Sequence, residues 1–157
     1  MTSAYHLAQL NIGNLRYPRD APGLRGYCEA LRPVTAVALA WPGFIWIHDD
    51  SIIERAEQMF GAGMAANLSL WRDIESLRSF MVCPEHAAVM ERRADWFVPM
   101  NEASFALWWV PAGSLPALNE GHERLMLLRR AGPTRRAFDL DNPFPRPSRV
   151  SRRSDGD

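Results

Sequence analysis

Residues 64–110 read MAANLSLWRDIESLRSFMVCPEHAAVMERRADWFVPMNEASFALWWV, and this run decides the fold. Met64 to Trp71 alternates as a strand does: Asn67, Ser69 and Trp71 share one face, and Ala66, Leu68 and Leu70 take the other. Ala103 to Val110 is a second strand, stopped by Pro111-Ala-Gly113, in which Phe105, Leu107 and Trp109 oppose Ala106, Trp108 and Val110. Between the two, Asp73 is placed to cap a helix through ESLRSFM, and Pro84 suits the first turn of the next helical segment. Strand, helix and strand in this order make one half of a split βαβ unit.

The other half lies upstream. Tyr5 to Ile12 reads as a strand ended by Gly13-Asn14, and Leu24, Tyr27, Cys28 and Leu31 then recur at helical spacing. Pro33 must kink that helix or restart it before VTAVALA. Pro42-Gly43 is a stop, and FIWIH follows as a second strand; IIERAEQMF then makes a short helix or a flap. Downstream, HERLMLLRR is a last helix ended by Gly132-Pro133, and AFDL can add an edge strand. The fold class is therefore α+β: a ferredoxin-like β-α-β-β-α-β order with a four-stranded antiparallel sheet and an extra C-terminal helix. Residues 1–142 form one domain, and the Pro/Arg/Ser-rich tail 143–157 reads as disordered. One sheet face takes the helices, and the other needs cover, which a homodimer pairing two sheets would supply.

Composition narrows the function. Net charge is zero, so no broad field argues for nucleic acid or an anionic membrane. The arginines of the tail sit among Pro and Ser and read as solvated chain. All 18 basic residues are arginine, which excludes Schiff-base chemistry through a lysine amine. Two cysteines make no disulfide framework, and nothing resembles a signal peptide or a run of ~20 apolar residues, so the expectation is a cytoplasmic protein. No phosphate-binding, dinucleotide or nucleophile-elbow motif is present, and Cys83-Pro84-Glu85-His86 lacks a second ligand pair, so neither a cofactor nor a metal is expected. A haem would rest on the lone His86.

The chemistry concentrates on the segment from Pro84. On a continuous helix Val89, Met90, Arg93, Trp96 and Phe97 all fall within about 80° of His86, inside the apolar stripe. His86 and Arg93 then lie two turns apart, roughly 10 Å along the axis. A guanidinium on that stripe must find acceptors: either a carboxylate such as Glu75 or Glu102, or the oxyanion of a ligand in a cavity. His86 sits in the first helical turn, where the positive end of the dipole disfavours the imidazolium, and a neutral imidazole can take a proton. It is otherwise a core histidine bonded to a backbone carbonyl.

The segments YHLAQLNIGNLRYP, PGFIW, NLSLW, ESLRSFM, EHAAVMERRADWF, LWWVPAGSLP, ERLMLL and GPTRRAF, in this order, resemble the bacterial family catalogued as domain of unknown function 3291, from about Tyr5 to Phe138. That family is similar to the dimeric α+β barrels, which implies a ferredoxin-like subunit and a sheet-to-sheet homodimer. The wider superfamily holds cofactor-free monooxygenases of antibiotic biosynthesis, polyketide cyclases, lactone isomerases and haem proteins. The resemblance transfers a fold and no single reaction. After PGFIW the chain departs from the family pattern and reads IHDDS, which puts His48 forward as a residue at a pocket mouth.

The expectation is a cofactor-independent enzyme performing cyclisation, isomerisation or dehydration of a small, largely apolar metabolite of polyketide or aromatic type. His86 is its acid or base and Arg93 its oxyanion holder, Asn67 and Trp71 orient the substrate, and Trp96, Trp108 and Trp109 wall it in. Cofactor-free monooxygenation and non-catalytic ligand binding by a dimer are the alternatives.

Overall fold

The structure, a computed structural model, describes residues 4–148. Five strands, β1 (Tyr5–Leu15), β2 (Phe44–Ile47), β3 (Met64–Trp71), β4 (Phe97–Val98) and β5 (Phe105–Pro111), form one antiparallel sheet. β1 lies between β3 and β5, β2 adds outside β3, and the short β4 pairs only with the end of β1 at Asn14 and Leu15. With β4 set aside, the order β2-β3-β1-β5 is the ferredoxin-like arrangement that the strand–helix sequence predicts. Helices α1 (Arg25–Leu39), α2 (Ile52–Phe60), α3 (Ile74–Met81), α4 (Pro84–Glu91), α5 (Arg93–Trp96) and α6 (Leu118–Ala131) complete it. IIERAEQMF is thus a helix rather than a flap, and α1 runs on through Pro33.

Period-two alternation divides the core into two layers. Ala8, Leu10, Leu68, Leu70, Ala106 and Trp108 face one way and are buried against Ile52 of α2 and Leu118, Leu125 and Leu128 of α6. Leu7, Trp71 and Leu107 face the other way, against Val34 and Ala38 of α1 and Leu77 and Phe80 of α3. The first face is the one expected to await a partner's sheet, yet here the chain's own α2 and α6 cover it. Gly121 lets α6 come close: a Cβ there would stand 3.3 Å from both Leu10 and Trp108. Trp108 is wholly buried beneath it, worth about 4–6 kcal/mol of apolar burial at ~25 cal/mol per Å².

Two further expectations change. The helix read as continuous from Pro84 is interrupted at Arg92, whose φ of −96° and ψ of 7° separate α4 from α5. The stretch expected to be free tail from Pro143 begins as packed chain: Phe144 lies against Phe138, and Arg146 lies over Trp109 and donates to the Arg72 carbonyl. The rest of that tail, 149–157, lies outside the described residues. AFDL supplies an edge contact, with Phe138 and Leu107 exchanging backbone hydrogen bonds of 2.8 and 2.9 Å.

Candidate functional site

Between the second sheet face and the layer formed by α1, α3, α4 and α5 lies a cavity of about 400 Å³. It exists because that face does not stay apolar. Along β1 the residues that follow Leu7 at period two are Gln9, Asn11 and Gly13, and on β3 they meet Ser69, Asn67 and Ala65 in register. Polar and small side chains do not fill the space that leucines would, and the helices span the gap instead of closing it.

The helical wall is the stripe anticipated from the sequence. His86, Val89, Met90, Arg93, Trp96 and Phe97 all line the cavity, despite the interruption at Arg92. His86 Nδ1 stands 2.9 Å from the Met81 carbonyl, which can only accept, so Nδ1 carries the proton and Nε2 presents its lone pair. The ring meets Phe80 edge-on at 5.2 Å, and Phe80 in turn stacks on Trp71. Burial pushes the imidazole below its ordinary value of 6.5, with the Met81 carbonyl acting in the opposite sense. A neutral ring with a basic Nε2 results.

Arg93 has neither carboxylate nor hydrogen-bond partner among the described residues. Glu102, one of its two candidate partners, pairs with Arg129 at 3.1 Å. The guanidinium of Arg93 instead lies 5.5 Å from the centre of the Phe97 ring. Among the described residues no aspartate or glutamate lines the cavity, and Arg93 is the single formal charge they place there. Tyr27 stands near it, in contact with the rings of Trp96 and Phe97 at 5.4 and 5.2 Å. Burial, with Cys28 adding, pushes the Tyr27 phenol up against the opposing pull of Arg19 and Arg93, which keeps it a neutral donor.

Of the eight residues singled out in the sequence, the cavity gathers five: His86, Arg93, Asn67, Trp71 and Trp96. Trp71 needs one correction of role. Its indole N–H is taken by Ser69 Oγ at 2.9 Å, so it offers a ring wall and no free donor. The other three residues lie elsewhere. Trp108 faces α6 and donates to Glu120 at 3.2 Å. Trp109 is on the cavity's side of the sheet but beyond Leu7, where it donates to the Phe144 carbonyl.

His48 is displaced by a register shift between Phe44 and Trp46. Phe44 pairs with Trp71 and Ile47 with Ser69, both on the cavity face, while Trp46 pairs with Leu70 on the other. The shift moves His48 to the side of Trp46, whose ring it meets at 5.7 Å. Strict alternation would have placed Phe44, Trp46 and His48 together.

Sequence reasoning passed over Gln9, Asn11 and Tyr27. For the first two the signal was present: two carboxamides spaced by two, each between apolar neighbours in the middle of the strand. Among the described residues no group of three or more His, Cys, Asp or Glu side chains stands close enough to hold a metal ion. Nor is any helix among the described residues long and apolar enough to cross a membrane.

Comparison with known proteins places the chain in a family and assigns it no chemistry. The family model described as domain of unknown function (DUF3291) matches residues 6–154. No curated protein matches the chain. Solved structures similar to it include SnoaB, a cofactor-independent oxygenase from Streptomyces nogalater, which is 14% identical, with 73% of this chain and 100% of that one covered at a TM-score of 0.47. A protein of unknown function from Nitrosomonas europaea is 17% identical over 73% of this chain and 97% of its own, at a TM-score of 0.45. A third, from Pseudomonas aeruginosa, is 13% identical over 73% and 99%, at 0.47.

Proposed function

We propose, for a chain that belongs to the DUF3291 family, a cofactor-independent enzyme that moves a proton on a small, apolar, anionic metabolite of aromatic or polyketide type. The observation that carries this reading is the pairing, in one cavity, of a guanidinium with a neutral imidazole, where the described residues supply no carboxylate and no partner for the guanidinium or for Nε2. His86 takes or returns the proton. Arg93 holds the oxygen on which negative charge rests or develops, its own charge half-buried in the cavity wall. Asn67 orients the ligand from the sheet, and Trp71 and Trp96 confine it. Cyclisation, isomerisation and dehydration all begin with such a transfer.

His86→Ala tests the reading directly. Turnover lost with ligand affinity retained supports it, whereas full activity in both His86→Ala and Arg93→Ala removes the site assignment. Affinity without turnover in the wild type would leave a binding protein. Cofactor-free monooxygenation starts from the same deprotonated ligand, and uptake of oxygen during turnover distinguishes it. A homodimer belongs to the same proposal, in a form that leaves α2 and α6 in place over their sheet face; the mass in solution by light scattering tests it.

A further inference from the structure

We infer that Gln9 is a fixed-polarity donor for a ligand carbonyl, and that the cavity takes a ring ketone carrying a separate anionic group. This rests on the proposed reading of the same site, and it names the class of molecule the site accepts.

The inference starts from a chain of three buried side chains. The indole N–H of Trp71 donates to Ser69 Oγ at 2.9 Å, and Ser69 Oγ stands 2.7 Å from Gln9 Oε1. An indole nitrogen can only donate, so the hydroxyl accepts there and its own hydrogen still needs an acceptor; among the described residues Gln9 is the group that takes it. A carboxamide accepts only through its oxygen, so the end of Gln9 that meets Ser69 is Oε1. Heavy-atom positions alone leave an amide's orientation open, and the flipped amide would leave the hydrogen of the buried Ser69 hydroxyl without an acceptor among the described residues, which favours Oε1 at this end. The Gln9 nitrogen is therefore the end left over, with two N–H groups to give.

Those two N–H groups have no partner among the described residues, although Gln9 is only 5% exposed and lines the cavity. The nitrogen itself is not among the buried, unpartnered side-chain atoms, so it stays accessible from the cavity, and a ligand acceptor there adds about 0.5–1.5 kcal/mol net. A carbonyl or an oxyanion offers only lone pairs and so meets both N–H groups in any orientation, whereas a methylene offers none. Arg93 already supplies the place for a full negative charge, so the atom met by Gln9 is a second, separate oxygen. Asn11 and Asn67, by contrast, make no hydrogen bond that fixes either amide, and they adapt to whichever group they meet. The aromatic walls, from Phe44, Trp71 and Phe80 to Trp96 and Phe97, set the rest of the class as ring-bearing.

A matched pair of probes isolates the carbonyl. 9-Oxofluorene carboxylate and fluorene carboxylate differ only by a ketone in place of a methylene, and each is used with its carboxylate at ring position 2 and, separately, at 4. Binding is read from quenching of tryptophan fluorescence, with a thermal melt to show that each variant folds. For at least one isomer the wild type should bind the ketone about tenfold more tightly, the equivalent of one net hydrogen bond. Gln9→Met should reduce that ratio to within about twofold of one. Gln9→Glu keeps an acceptor for Ser69 but turns lone pairs into the cavity, so it should invert the ratio; a purely structural Gln9 predicts no inversion. Should Gln9→Glu fail to fold, Gln9→Met alone decides.

Arg93→Met should weaken both members of the pair by one common factor. A wild-type ratio near one for both isomers, or a ratio that survives Gln9→Met, overturns the inference about Gln9. If Arg93→Met still weakens both probes in that case, the anion site stands without it. Failure of the wild type to bind any of the four probes below 1 mM overturns both.

Discussion

Replacing Arg93 by methionine separates a residue that serves the fold from one that serves a ligand. The structure gives the two readings opposite magnitudes. For the fold, the guanidinium's recorded contact is with the Phe97 ring at 5.5 Å, worth about 0.5–1 kcal/mol. Its loss is offset by relief of a half-buried charge that lacks a carboxylate, and methionine keeps most of the stem's apolar contact. The net change in stability should stay within about 1 kcal/mol, or roughly 2–4 °C in Tm for a chain of this size. For a ligand, the same substitution removes a charge-assisted hydrogen bond of about 1.5–3 kcal/mol, a loss of roughly 10- to 150-fold in affinity. Calorimetric melting of the unliganded protein and titration with 9-oxofluorene carboxylate measure the two sides. A fall in Tm of roughly 10 °C would mean that Arg93 is a structural element. An affinity unchanged within twofold would mean that the cavity's single charge is not aimed at its ligand. Either result refutes the reasoning.

Asp73 accepts from the Ser76 amide at 2.8 Å at the start of α3, so Asp73→Ala should cost about 1 kcal/mol in urea denaturation at pH 7. Burial raises the Asp73 carboxyl, but the Ser76 hydroxyl and amide and Arg72 together hold it below 3.8; its contribution is complete above that value and is lost as pH falls through the lower folded value, so the gap between wild type and variant should shrink by pH 3. His86 is also lowered, by burial, so the unfolded chain binds its proton first: wild-type stability should fall as pH drops from 6.5 toward the folded value, and His86→Gln should lack that step. An imidazole titrating at or above 6.5 by NMR would contradict this. Trp108→Leu should destabilise by about 2–4 kcal/mol yet leave probe affinity within twofold, because Trp108 faces α6; Trp96→Leu should weaken the probe.

Much of this was legible in the chain because two short periods carry it. Alternation in β3 places Asn67, Ser69 and Trp71 on one face, and the helical period gathers His86 and Arg93 onto one stripe, so these sets meet wherever the helix lands on that face. What local periodicity does not carry was misread. HERLMLLRR shows that α6 has an apolar side without showing which sheet face it covers, and that choice is made by contacts across the whole chain, such as Gly121 against Leu10 and Trp108. The displacement of His48 follows from one irregular residue step in β2, which leaves no mark on composition. Trp108 and Trp109 are neighbours in sequence and opposite in space, so at most one of them could have lined any cavity on either face.

The two sheet faces also divide the labour of the molecule. The face under α2 and α6 is apolar along each central strand and carries Trp108, its largest fully buried side chain. The opposite face interrupts its apolar run with Gln9, Asn11, Asn67 and Ser69, which sacrifice burial in the middle of the sheet. Such a sequence is poor material for stability, since each buried amide must be matched or left wanting. Half of that polarity is matched internally: Ser69 joins Trp71 to Gln9, accepting from the one and giving its hydrogen to the other. The other half is not matched. The Gln9 nitrogen, His86 Nε2 and the Arg93 guanidinium all open on one space with no internal partner among the described residues. On the proposed reading these three open groups are arranged for something that enters the cavity, and their order of polarity, two donors and one acceptor, is the part of that ligand's description the protein itself supplies.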